Sequence, residues 1–211
     1  MNKALIDDCR GKVKKIYETF DSSHDWQHIE RVLQNAETIM KSETADPLIV
    51  ELAVLLHDVS DPKYKKAEED LETEILNSLD LSNGQKQSIQ AVIRSVSFKG
   101  GGGIAPETAE ARVVQDADRL DAIGAVGIAR TFAFGGAKGR KLYDWEEKPR
   151  REMTEKQYRE TPTSSATHFY EKLLLLKDLM TTETGKQIAE ERHQFMLSFL
   201  QQLKKETDGN L

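Results

Sequence analysis

Apolar side chains recur along this chain at spacings of three and four residues, and clean alternation of apolar and polar positions is nearly absent. That period buries a stripe of a helix and offers no half-buried strand face, so the chain must fold from packed helices. Ile29, Val32, Leu33, Ala36, Ile39 and Met40 mark one helix face, and Leu48, Leu52, Leu55 and Leu56 a second. The second is entered through Asp46-Pro47, a capping residue followed by proline at the first turn. Leu71, Ile75, Leu76 and Leu79 predict a third, and Ile89, Val92, Ile93 and Val96 a fourth. The alanine-rich run 108–129 predicts one long helix, and 164–203 predicts two helical stretches that separate near Thr181-Thr182. Two segments break the pattern. Lys99 and the four glycines after it form a loop, and the polar run 135–163 reads as a surface excursion or lid. A length of 211 residues without an internal repeat or a dividing linker predicts one all-α domain over 1–211.

Charge narrows the partners. The chain carries 36 Asp and Glu against 30 Lys and Arg, a net charge of −6, which argues against a stable nucleic-acid surface. A local basic pocket for phosphate remains compatible with it. No apolar run reaches the ~20 residues that cross a bilayer, and the first twenty residues hold acids and lack an apolar core, so neither a membrane span nor a secretory leader is expected. Cys9 is the only cysteine, which rules out an intramolecular disulfide and a four-cysteine zinc site and fits a cytoplasmic protein.

The histidines carry the chemistry. His57-Asp58 closes an apolar helix, where an imidazole either caps carbonyls or turns toward a ligand. Neighbouring helical residues point about 100° apart, so both reach one ion only at a helix end or a concave junction. His24 and His28 stand four apart in Ser22-Ser23-His24-Asp25-Trp26-Gln27-His28, behind good capping residues, so a helix starts close to His24 and holds His28. Farther on, Asp116, Asp118, Arg119 and Asp121 lie among alanine, valine and isoleucine. Carboxylates in such surroundings need a partner or a metal, and the apolar flanks weigh against the alternative, an Asp–Arg pair on a solvated face.

The ordered set of a helical histidine, His-Asp at a second helix end and Ala-Asp-Arg-Leu about sixty residues later resembles the HD-domain metal-dependent phosphohydrolases. His28, His57, Asp58 and Asp118 stand at the metal-ligand positions of that pattern. The runs SHDWQHIERV at 23–32, SFKG at 97–100 and VVQDADRLDAIGA at 113–125 are similar to a small bacterial subgroup of the family, and ATHFYEKLLLLKDLM and AEERHQFM extend the likeness toward the C-terminus. The resemblance implies a helical HD bundle and an enzyme that hydrolyses nucleotides. Its most specific form cleaves (deoxy)nucleoside triphosphates to monophosphate and pyrophosphate. A 5′-nucleotidase, a nucleotide phosphodiesterase and a non-catalytic nucleotide-binding module are the alternatives, the last disfavoured because all four ligands are present.

Two imidazoles and two carboxylates suit Mn²⁺, Co²⁺, Ni²⁺, Fe²⁺ or Zn²⁺ better than Ca²⁺, with Mn²⁺ the first expectation. No histidine falls between His57 and Asp118, where two-metal relatives recruit extra ones, so one ion per site is expected. By the same resemblance Asp61, four residues after His57, orients or deprotonates the attacking water, unless it only caps the turn before Pro62; Asp58 is counted with it at the catalytic centre. Arg31, Lys63, Lys65, Lys99 and Arg119 are candidates for phosphate, which needs positive charge or N–H donors. His24, Asp25 and Trp26 would line the mouth, Trp26 stacking on a base or simply packing, and Asp121 completes the substrate-binding set. The expected protein is a monomer or homodimer acting on a small nucleotide or phosphoester.

Overall fold

The computed structural model describes residues 2–21, 24–60, 70–96, 105–150 and 163–208. Their helices are α1 (Asn2–Tyr17), α2 (Trp26–Met40), α3 (Pro47–Leu56), α4 (Leu71–Ser78), α5 (Asn83–Val96), α6 (Ala109–Asp121), α7 (Gly124–Ala137), α8 (Ser165–Glu171), a 3-10 turn (Leu173–Leu179) and α9 (Glu183–Thr207). No strand occurs among the described residues, as the helical period predicts. None of these helices is long and apolar enough to cross a membrane.

The residues fall into two compact units, 2–96 with 105–118 and 119–208. At the centre of the first is α3. Asp46 caps it, its side chain accepting from the Leu48 amide at 2.9 Å, and Pro47 supplies the fixed φ of a first turn. From Leu48 to Leu56 every residue except Glu51 is buried. A helix apolar on nearly all sides must be wrapped, and α1, α2 and α5 pack around it. Whatever follows Leu56 therefore emerges from the middle of the core. Helix α1, not among the expected elements, contributes the buried stripe Cys9, Val13 and Tyr17, four residues apart. Helix α2 turns His28, Ile29, Val32, Asn35, Ala36 and Ile39 inward.

In the second unit α9 packs on α7 and on the 3-10 turn, both of which meet α8. Thr182 caps α9, accepting from the Gly185 amide at 3.0 Å, so the expected break near Thr181-Thr182 falls where a hydroxyl starts a helix. The helix expected over 108–129 is two. Helix α6 ends at Asp121, and Gly124 opens α7 with φ of 74°, a conformation glycine adopts without penalty. A side chain at Gly124 would run into Arg192, and a Cβ at Gly127 would overlap the Ala122 carbonyl. These glycines serve close packing. The polar run expected over 135–163 begins later, because α7 continues to Ala137. Of the remainder, 151–162 lies outside the described residues, as do Asp61, Lys63, Lys65 and Lys99.

Candidate metal centre

Each ligand candidate is delivered by a helix of the first unit. Asp25 caps α2, its Oδ1 accepting from the His28 amide at 3.1 Å, so His28 enters in the first turn and its side chain is buried. His57 ends α3, and Asp58 follows in the turn. The helix end resolves the angular problem of adjacent residues, because Asp58 is no longer held at the helical 100°. Asp118 comes from α6.

The four side chains converge. His28 Nε2 lies 3.5 Å from Asp58 Oδ2 and 3.6 Å from Asp118 Oδ1. His57 Nε2 lies 3.3 Å and 3.8 Å from the same two oxygens. The imidazole rings stand 5.5 Å apart. His28, His57 and Asp58 each offer one ligand atom, and the three atoms fall within 4.8 Å of one another. The imidazoles are 1% and 2% exposed, whereas Asp58 and Asp118 are 17% and 29% exposed, so the cluster is reached from its carboxylate side.

The hydrogen bonding suits a cation. His57 Nδ1 is 2.9 Å from the Val54 carbonyl, an acceptor, so Nδ1 carries a proton in the neutral ring and Nε2 presents its lone pair to the cluster. That Nε2 is buried and, among the described residues, makes no hydrogen bond. Among the described residues, the ion-pair partners of Asp58 and Asp118 are the two imidazoles. Two nitrogens and two carboxylate oxygens, gathered where a proton or a metal ion would neutralise them, fit a divalent ion.

Without a metal, a proton takes that place. Burial disfavours charge on His57, but the Asp58 and Asp118 carboxylates outweigh it and push the imidazole up to about 9. Burial likewise works against the Asp58 anion, yet His57 and His28 hold its carboxyl well below the usual range.

Other expected site residues divide. His24 lies at the edge of the cluster, its ring 5.8 Å from that of His28. Arg31 is half-buried on α2, one turn after His28. Asp25 acts as the cap of α2. Trp26 is packed: its indole N–H donates to Glu30 at 2.8 Å, its ring meets Tyr17, and Arg10 and Lys14 lie over it at 5.8 and 5.6 Å. Arg119 and Asp121 belong to the second unit. Arg119 donates to the Leu179 carbonyl, and Asp121 is buried with Arg130 Nη1 2.7 Å from its carboxylate.

Two supporting residues carry no sequence signal of their own. Asn35, two turns after His28, donates its amide to the Ala117 carbonyl at 3.0 Å, tying α2 to α6 beside Asp118. Tyr17 of α1 is fully buried and donates its hydroxyl to the Leu55 carbonyl at 3.1 Å. Burial and the Asp58 charge raise that phenol far above its ordinary range, so it stays a neutral donor.

Known proteins bear on this site. The HD domain family model matches residues 25–123, a span that includes all four cluster residues. YpgQ of Bacillus subtilis is 42% identical over 202 residues, covering 93% of this chain and 91% of YpgQ. A crystal structure of YpgQ in complex with ADP has a TM-score of 0.76 at 39% identity and covers 97% of this chain and 98% of that one. A Lactobacillus plantarum protein of known structure has a TM-score of 0.88 at 34% identity, with both chains covered completely. An HD-superfamily hydrolase from Bacillus thuringiensis has a TM-score of 0.75 at 40% identity, with 99% of each chain covered.

Proposed function

Since the chain belongs to the HD superfamily, we propose that it is a metal-dependent nucleotide phosphohydrolase that cleaves (deoxy)nucleoside triphosphates to monophosphate and pyrophosphate. The observation that carries this reading is the convergence of His28, His57, Asp58 and Asp118 from three helices. The ADP bound by YpgQ supports a nucleotide as the substrate class.

His28, His57, Asp58 and Asp118 would hold one divalent ion, with Mn²⁺ the first choice for a mixed nitrogen and oxygen set. When bound, such an ion polarises a phosphoryl oxygen and acidifies water at neutral pH. The protein's own groups do the rest. Val54 keeps the His57 proton on Nδ1, so the ring binds through Nε2. Asp58 and Asp118 would balance such a cation, and their partly exposed side of the cluster would admit the triphosphate. Arg31 would offer a guanidinium to the phosphates one turn from His28, and Lys63, Lys65 and Lys99, which lie outside the described residues, are the further cations this reading assigns to them. Asp61 takes the proton of the attacking water, whose oxygen bonds to the α-phosphorus as the bond to the pyrophosphate oxygen breaks. His24 lines the mouth.

A panel of nucleoside triphosphates, incubated with Mn²⁺, Co²⁺, Ni²⁺ or Mg²⁺ and followed by phosphorus NMR, tests the proposal. Monophosphate and pyrophosphate are the expected products. Release of orthophosphate, or no turnover with any of the metals, contradicts it.

A further inference from the structure

Three carbonyls at the end of α3 set the direction of the His57–Asp58 turn. Had the helix continued, Val54 and Leu55 would accept from the amides of Asp58 and Val59. Instead the Val54 carbonyl faces His57 Nδ1 at 2.9 Å, the Leu55 carbonyl takes the Tyr17 hydroxyl at 3.1 Å, and the Leu56 carbonyl takes the Val59 amide at 3.2 Å. Of these partners only Tyr17 comes from another helix. Its ring also packs against Trp26, with centroids 6.5 Å apart, two residues before His28. Phe20 also packs on it, edge-on at 5.4 Å. One fully buried side chain thus touches the last turn of α3, two residues before His57, and the first turn of α2, two residues before His28.

We infer that Tyr17 is a positioning residue of the metal centre: its hydroxyl fixes the end of α3 and its ring the start of α2, so that the two imidazoles face one ion. Tyr17 lies outside the 25–123 span matched by the HD family model, so this part of the centre is supplied by the preceding helix. The inference rests on the metal reading above and reaches beyond its ligands. Partners that orient a ligand in this way typically change metal affinity 10–100-fold when lost.

The test is Mn²⁺ binding to the full chain, read from the electron-spin-resonance signal of free Mn²⁺. Tyr17→Phe keeps the ring and removes the hydroxyl, and it should weaken binding about tenfold. Placing 4-aminophenylalanine at position 17 returns a donor to the same point and should restore binding to within about threefold of wild type, since orientation rather than charge is at stake. Thr182→Val removes a buried hydroxyl that caps α9 in the other unit, and it should bind as wild type does. Tyr17→Phe binding within twofold of wild type, a failed rescue, or an equal loss in Thr182→Val would each overturn the assignment. Wild-type protein that binds no Mn²⁺ would instead overturn the metal reading itself.

Discussion

Asp118 and Asp121 stand three residues apart in one sequence run, yet they meet opposite surroundings. The Asp121 carboxylate is buried against Arg130 at 2.7 Å, and the same guanidinium reaches the Asp121 carbonyl at 3.2 Å. Arg192 stands close by, donating to the Leu120 carbonyl. Burial lowers the Arg192 pKa, and the Asp121 charge opposes that shift. This acid has its cation built in. Asp118 faces His28 and His57, two imidazoles that are cations only when protonated. A buried acid with its own arginine holds a fold together, whereas two acids beside two imidazoles provide a place for a cation from solution.

The largest expected effect falls on the second kind of site. Asp58→Ala removes a proposed ligand and the anion that holds its neighbours, and metal-dependent turnover should fall at least about a thousandfold, equivalent to roughly 4 kcal/mol. Circular dichroism should show the helices retained; residual turnover within tenfold of wild type would remove Asp58 from the centre. Arg130→Ala should act in the opposite sense. Taking the Arg130 guanidinium from the buried Asp121 carboxylate should cost about 3 kcal/mol of stability in urea unfolding, while the folded protein still binds one metal ion. A loss of metal binding in Arg130→Ala without a loss of stability would erase the contrast between the two acids.

The smallest effect is a pH dependence. In the metal-free protein His57 is raised from its ordinary 6.5 to about 9, so its stabilising contribution is complete below 6.5 and fades as pH rises through 9. Asp58 is lowered, so its contribution is present above the usual carboxylate range and is lost on acidification. A metal ion held by His57, as proposed, must displace its proton. Its affinity should therefore climb about tenfold per pH unit between 6 and 8, with about one proton released per ion, measurable by calorimetry in buffers of different ionisation enthalpy. An affinity flat across that range would mean that His57 is not a ligand.

Much of this was legible in the sequence, for identifiable reasons. Helix α3 announces itself because Asp46-Pro47 combines a cap with a fixed φ, and because an unbroken apolar run must lie at the centre. The cluster of His28, His57, Asp58 and Asp118 is legible because its residue types and order are unusual together. Helix α1 is harder to read, since Cys9, Val13 and Tyr17 are separated by charged residues. The break after α6 depends on Gly124 and on what packs against it, a tertiary fact that an alanine-rich run conceals. The contacts of Tyr17 and Asn35 escape for a related reason. Each is a side-chain bond to a main-chain carbonyl, and every residue has a carbonyl, so the partner leaves no trace in residue type. Asp121 shows the converse: its sequence setting matches that of Asp118, and the arginines that the fold brings to it, Arg130 in contact and Arg192 nearby, tell the two apart.

The central claim is that four side chains from α2, α3 and α6 share one divalent cation. Titration of Mn²⁺ into the metal-free chain tests it most directly, beside His28→Ala and Asp118→Ala. The account predicts one equivalent per wild-type chain and at least a hundredfold weaker binding in each variant, as expected when a ligand itself is lost. Binding that survives both substitutions unchanged, or a wild-type protein that takes up no ion, would contradict it.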